Sequence, residues 1–130
     1  MKMIGSWGNT NFELGLYRET ESENSVVLSA SRSEEEQEKI YIEQDEFDEF
    51  VDCILAAVDS LAKKYPIGQV PTCIMDSKVG FIIAGWSFDE TEVALEISQG
   101  SASLRIPKTY LQECLSWLIK ESYLMRQSDS

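Results

Sequence analysis

Residues 45–65 read DEFDEFVDCILAAVDSLAKKY, and residues 109–127 read TYLQECLSWLIKESYLMRQ. In both stretches apolar side chains recur three and four residues apart, which predicts two amphipathic helices that each bury one face. We expect Asp45 and Thr109 to cap these helices and Pro66 to end the first one. The apolar face of the first helix consists of Phe47, Phe50, Val51, Ile54, Leu55, Val58, Leu61 and Ala62, and that of the second consists of Leu111, Cys114, Leu115, Leu118, Ile119 and Met125.

The two helices belong to a longer internal repeat. Residues 40–55 align with residues 104–119 without a gap at an offset of 64, so that the end of a strand, a helix start and a buried face all match. A match through strand, cap and helix favours a duplicated unit over coincidence. Going back toward the N-terminus, we align residues 26–30 with 93–97 and residues 12–16 with 81–85.

Each half of the repeat predicts an antiparallel meander followed by its helix. In the second half Val93, Leu95 and Ile97 alternate with other side chains, as expected of a strand with one buried face. The prediction is a single α+β domain over residues 1–130, built from two β-meander-plus-helix repeats related by a pseudo-twofold axis. The strands are predicted near 11–18, 25–31, 38–43, 79–88, 91–98 and 102–106, with short additional strands at Met3–Trp7 and Thr72–Met75, repeats at about 3–65 and 70–126, and a linker at 66–78.

The composition excludes several classes of function. The chain of 130 residues carries 23 acidic and 11 basic residues, a formal net charge of −12, and no histidine. Binding to nucleic acid or to an anionic membrane surface draws on clustered lysine and arginine, so the charge argues against both partners. Without histidine, the chain lacks the commonest general base and the commonest metal ligand.

The three cysteines, Cys53, Cys73 and Cys114, have neither the spacing of a zinc site nor the even number typical of a disulfide scaffold. They fit the reduced thiols of a cytosolic protein, and Cys114 lies on the predicted apolar face of the second helix. No apolar run is long enough for a signal peptide or a membrane-spanning helix. We therefore expect a cytoplasmic protein.

Paired carboxylates on the first helix raise the alternative of a metal or acid–base site, because Asp45, Asp48, Glu49 and Asp52 have helical spacing. No histidine, calcium-binding loop motif or glycine-rich phosphate motif accompanies them in the sequence. The thiols have no histidine partner that would activate them as nucleophiles. The sequence therefore predicts a protein that is not an enzyme and that holds no metal or cofactor.

Acidic residues are concentrated in the first part of the chain. Residues 1–50 contain 13 acidic and four basic residues, a net of −9, whereas the remaining 80 residues contribute −3. Part of this charge has an ordinary structural explanation, because the helix dipole favours carboxylates at a helix start and a charged loop is solvated. Taken together, the asymmetry indicates a surface that attracts a basic partner. The residues predicted to bind it are Glu34, Glu35, Glu36, Glu43, Asp45, Glu46, Asp48 and Glu49.

Tyr110, Trp117 and Leu124 repeat every seven residues beside the apolar face of the second helix. They either widen the buried face, which we favour, or form an exposed seam for a partner helix. Trp7 and Trp86 are predicted to lie in the core or on a sheet face.

A tandem pair of meander-plus-helix units resembles the Whirly, positive cofactor 4 and Pur group of single-stranded DNA-binding folds. The resemblance covers most of the chain, but it lies in topology rather than in a signature motif. The basic KGKAAL-type strand of the Whirly family is missing, and the nearest segment, EVALEI at residues 92–97, is acidic. The resemblance implies the fold, and the charge argues against the DNA-binding function.

A small acidic protein with this architecture also resembles certain immunity proteins of contact-dependent growth inhibition systems. That resemblance implies a protein that binds and neutralises a basic nuclease toxin, such as a ribosomal RNase, through an acidic surface. Three alternatives stay open at this point: an acidic DNA-mimic inhibitor, a single-stranded nucleic-acid-binding protein of the Whirly or Pur type, and a subunit of a larger assembly.

Overall fold

The computed structural model describes residues 2–20, 24–32, 37–62, 73–88 and 92–128. It has an α+β architecture of two four-stranded antiparallel sheets and two helices, and no cis peptide bond occurs among the described residues. Sheet A contains, in spatial order, β1 (Lys2–Gly8), β2 (Phe12–Arg18), β3 (Ser25–Arg32) and β4 (Glu38–Glu43), followed by α1 (Phe47–Ala62). Sheet B contains β5 (Cys73–Ser77), β6 (Gly80–Phe88), β7 (Val93–Gln99) and β8 (Ala102–Pro107), followed by α2 (Leu111–Ser128).

The predicted offset of 64 residues is found in the element boundaries. The strand β4 at Glu38–Glu43 corresponds to β8 at Ala102–Pro107, and Phe47, which begins α1, corresponds to Leu111, which begins α2. The six predicted meander strands agree with the observed strands to within one or two residues at each end, and the two additional strands are also present as β1 and β5. β5 lies inside the predicted linker at 66–78, where the sequence also predicts this additional strand.

Each helix contacts the sheet of the other half of the chain and also the last strand of its own half. α1 contacts β5 and β6 of sheet B, α2 contacts β1 of sheet A, and the two helices contact one another. The edge strands β4 and β8 also lie together, so that one continuous hydrophobic core joins both sheets and both helices. A buried hydrogen bond of 3.0 Å from the Trp86 indole nitrogen to the Ala57 carbonyl ties α1 to sheet B.

The strand alignment predicted within the repeat is wrong by one or two residues. Leu14 and Leu16 of β2 correspond to Ile82 and Ala84 of β6, because these residues occupy the same register and are fully buried. The predicted equivalents in 81–85 include Phe81 and Ile83, which are exposed instead. The run FIIA is apolar on both faces, so alternation alone cannot assign its buried side.

A similar correction applies to β3. Leu28 pairs with Ile40, and Ile97 pairs with Leu104, which is the equivalent of Ile40. Leu28 therefore corresponds to Ile97, two residues beyond the predicted equivalent, Leu95. The chain between Leu28 and Ile40 is therefore five residues longer than the chain between their equivalents, Ile97 and Leu104. Most of the additional residues fall in 33–36, outside the described residues.

The predicted helix caps are also wrong. A 3-10 turn precedes each helix, at Gln44–Glu46 and at Lys108–Tyr110, and in these described segments neither turn begins with a side-chain capping bond. Asp45 and Thr109 lie within the turns rather than before them. The turn supplies the first backbone hydrogen bonds, so a capping side chain is not needed for the helix to start.

Candidate functional site

The acidic start of α1, residues 43–49, holds the turn between β5 and β6 in place. The Glu46 carboxylate accepts hydrogen bonds from the Ser77 hydroxyl at 3.0 Å and from the Lys78 backbone N–H at 3.1 Å. The ammonium group of Lys78 lies 2.5 Å from the Asp45 carboxylate, and this ion pair raises the pKa of Lys78. Both members of the pair are exposed, so it contributes little to stability.

Asp48 connects the start of α1 to the end of α2. Its carboxylate accepts a hydrogen bond from the Ser122 hydroxyl, and Arg126 lies 3.4 Å away. These residues line a groove of about 290 Å³ between the helices. Val51, Asp52, Leu55 and Ile119 form the rest of its lining. Asp48 therefore has a structural role in addition to its charge.

The remaining predicted residues differ in what they contact. Glu43 accepts a hydrogen bond of 3.2 Å from the Ser25 hydroxyl, next to the pairing of Ser25 with Glu43 across β3 and β4. Glu49 is exposed on the outer side of α1, as is Asp52 in the next turn. The structure thus brings Glu43, Asp45, Glu46, Asp48 and Glu49 together at one helix start. Glu34, Glu35 and Glu36 lie outside the described residues.

The chemistry of this surface is electrostatic. Three of its carboxylates, those of Glu43, Glu46 and Asp48, also have a structural role, because they hold neighbouring elements together. Among the described residues, no group of three or more histidine, cysteine, aspartate or glutamate side chains is arranged to hold a metal ion. Exposed carboxylates on a rigid helix start can instead pair with lysine or arginine side chains of another protein.

Two of the three cysteines are buried thiols, and Cys73 is half-buried. Cys114 is fully buried and Cys53 nearly so. Burial raises the pKa of each thiol to about 12, and the neighbouring Cys73 contributes further to the shift at Cys53. Such thiols stay protonated at neutral pH and pack as small apolar side chains.

Tyr110, Trp117 and Leu124, which repeat every seven residues beside the apolar face of the second helix, differ in burial. Trp117 is buried, and Tyr110 stacks on Phe12 with 6.0 Å between ring centroids and lies 5.9 Å from Trp7. Tyr110 occupies the position equivalent to Glu46. Tyr110 contacts the β1–β2 hairpin through aromatic rings, whereas Glu46 contacts the β5–β6 turn through hydrogen bonds. Leu124 is exposed.

Glu121 is a buried acidic residue that the sequence reasoning missed. Its side chain is on the inner face of α2, only 6% exposed, and burial raises the pKa of its carboxyl group. Gly5 of β1 makes room for it, because a β-carbon there would come within 2.5 Å of the Glu121 carboxylate. The signal in the sequence was its position between Leu118 and Met125, three and four residues away on the apolar face.

No protein-family model and no curated protein sequence matches this chain. In the described part of the chain, neither helix combines the length and the apolar character needed to cross a membrane.

Proposed function

We propose that the protein is an immunity protein, which binds and neutralises a basic nuclease toxin in the cytosol through an acidic surface at the start of α1. The observation that carries the proposal is the grouping of Glu43, Asp45, Glu46, Asp48 and Glu49 on one rigid helix start of a chain with net charge −12. Nucleases are basic where they hold RNA or DNA, and an acidic inhibitor accelerates encounter with such a surface.

The topology supports the proposal as well. Two four-stranded antiparallel meanders, each followed by a helix, are compatible with a Whirly-like arrangement of two repeats. Inhibition by occlusion needs no catalytic residue, which is consistent with the prediction that the protein is not an enzyme.

A direct role in binding single-stranded nucleic acid has less support. Several of the cations that a phosphate backbone would need are engaged with carboxylates. Arg32 pairs with Glu92 at 2.7 Å, and Arg105 lies 3.9 Å from Glu96. A polyanion would have to displace these partners and also approach a strongly negative surface.

The proposal predicts that the gene immediately upstream encodes a nuclease toxin, and the test is the association rate with the domain of that toxin. The double charge reversal Asp45→Lys with Glu49→Lys should slow association at least tenfold at about 50 mM salt, and the difference should shrink at about 500 mM, where charges are screened. These two residues suit the test because both are exposed, so the fold should survive. The triple reversal of Glu34, Glu35 and Glu36 to Lys tests the loop part of the predicted surface in the same way.

The matched control reverses two exposed glutamates elsewhere, Glu13→Lys on β2 with Glu113→Lys at the start of α2. It changes the net charge by the same amount and should slow association far less. Equal slowing by both variants would show that only total charge matters and would reject the site. The function would be rejected if the wild-type protein neither bound the toxin domain nor protected cells that express it. Binding of the wild-type protein to single-stranded DNA at micromolar concentration and about 150 mM salt would also reject it.

A further inference from the structure

The outer face of sheet B carries an apolar patch formed by Ile74, Phe81 and Ile83, whose exposed fractions are 63%, 60% and 41%. Ile74 lies directly opposite Ile83 across the β5–β6 pair, and Phe81 lies on the same face two residues before Ile83. Side chains that are paired across strands or placed two residues apart on one face lie within contact distance. The three side chains therefore form one continuous surface.

The first half of the chain shows what the fold requires at these positions. By the register that aligns Leu14 with Ile82, the equivalents of Ile74, Phe81 and Ile83 are Ser6, Glu13 and Gly15. Sheet A thus has a hydroxyl group, a carboxylate and a hydrogen atom where sheet B has three large apolar side chains. The meander forms without them, and their exposure to water costs hydrophobic free energy. Exposed apolar surface of this kind is typical of a binding site.

The apolar patch lies at the same end of sheet B as the acidic helix start. Lys78, in the β5–β6 turn, is bound to Asp45 through its side chain and to Glu46 through its backbone N–H. Phe81 follows Lys78 by three residues, and three residues of chain span at most about 11 Å. Asp76, which is exposed and lies directly opposite Phe81, adds a carboxylate on the patch face itself.

We propose that the apolar patch is the buried centre of the interface whose acidic rim is the start of α1; this inference rests on the proposed function. An apolar centre with a charged rim is the usual anatomy of a specific protein interface. The occupant is a basic protein domain that inserts an apolar side chain on the patch and places lysine or arginine residues against Asp45, Glu49 and Asp76.

Charge complementarity selects this occupant over a second copy of the chain. Two copies that each carry a net charge of −12 would repel one another. Three side chains also cover far less than the roughly 800 Å² that each partner buries in a stable interface. The patch is therefore too small to hold a dimer by itself, and it fits the centre of a larger, mixed interface.

The apolar centre and the acidic rim should affect different rate constants. Rim charges act mainly on association, whereas loss of a packed apolar contact mainly accelerates dissociation. We would measure both rate constants with the upstream-encoded toxin domain for the variant Ile74→Ser, Phe81→Thr, Ile83→Thr. Serine is the residue at the equivalent position of Ile74, and threonine favours strands, so the variant should keep the fold and its thermal unfolding midpoint.

The expected result is a dissociation rate at least tenfold higher with an association rate changed less than twofold. The matched control is Met3→Thr on β1 with Tyr123→Thr on α2, two exposed residues whose exposed fractions, 53% and 54%, are similar. This control should dissociate at the wild-type rate. Wild-type dissociation of the patch variant, or an equal increase in the control, would overturn the inference while the proposed function stands. Absence of binding by the wild-type protein would reject both.

Discussion

Glu121 is the residue at which burial and charge conflict most directly. Its carboxyl group has a raised pKa in the folded protein because it is removed from water against β1. A group whose pKa is higher in the folded state binds its proton more tightly there, so its contribution favours folding below the ordinary value near 4.5. That contribution is lost as the pH rises through the folded-state pKa, and at neutral pH the buried charge destabilises the fold.

Glu121→Gln should therefore stabilise the protein at neutral pH. Glutamine has the same shape without the charge, and we expect a rise in Tm of roughly 2–5 °C at pH 8 that shrinks toward pH 5. Glu113→Gln, at an exposed position in the first turn of the same helix, is the control and should give no rise in Tm at either pH, because the helix dipole favours a carboxylate there. A gain of equal size at pH 5 and pH 8 would mean that desolvation of the carboxylate is not the cause.

At the scale of elements, a hydrogen bond between Asp48 and Ser122 joins the start of α1 to α2. Asp48 accepts the Ser122 hydroxyl from α2, and the pair is partly buried. We expect a double-mutant cycle of Asp48→Ala and Ser122→Ala, measured by urea unfolding, to give a coupling free energy of about 1 kcal/mol. Asp52 lines the same groove one turn later, and the cycle of Asp52→Ala with Ser122→Ala should give no coupling. Equal coupling in both cycles would assign the effect to general electrostatics.

The elements themselves could largely be predicted from the sequence. Alternation and helical periodicity located six strands and both helix starts to within about two residues. Prediction of the register failed at β6, where Phe81 and Ile83 are as apolar as the buried Ile82. Only the pairing with neighbouring strands determines which face of such a strand is buried.

The candidate site was partly predictable for a related reason. Charge can be counted from a sequence, so the acidic helix start was found, but the hydrogen bonds that occupy Glu46 and Asp48 depend on Ser77 and Ser122, which are far away in the chain. The apolar patch was missed because its exposure follows from the β6 register. Both failures concern contacts between elements rather than the elements.

At the scale of the whole molecule, the exchange of helices between the halves makes each half dependent on the other. In a fragment of residues 1–66, sheet A would lose its contact with α2, and the apolar face of α1 would lose sheet B. A unit of about 65 residues is marginally stable even with a complete core. In the intact chain the two helices and the inner faces of both sheets form a single hydrophobic cluster.

We therefore expect fragments 1–66 and 67–130 not to fold separately as monomers and to form a one-to-one complex when mixed. Circular dichroism melts should show no cooperative transition for either monomeric fragment and should show one for the mixture. Two copies of one fragment could also pair, with the helix of each copy packed on the sheet of the other. The molecular mass must therefore be measured alongside each melt. As a control, the intact chain cleaved at one site between residues 66 and 67 should keep its cooperative transition. A monomeric fragment that unfolds cooperatively would contradict the exchanged arrangement, because it would have to fold its own helix onto its own sheet.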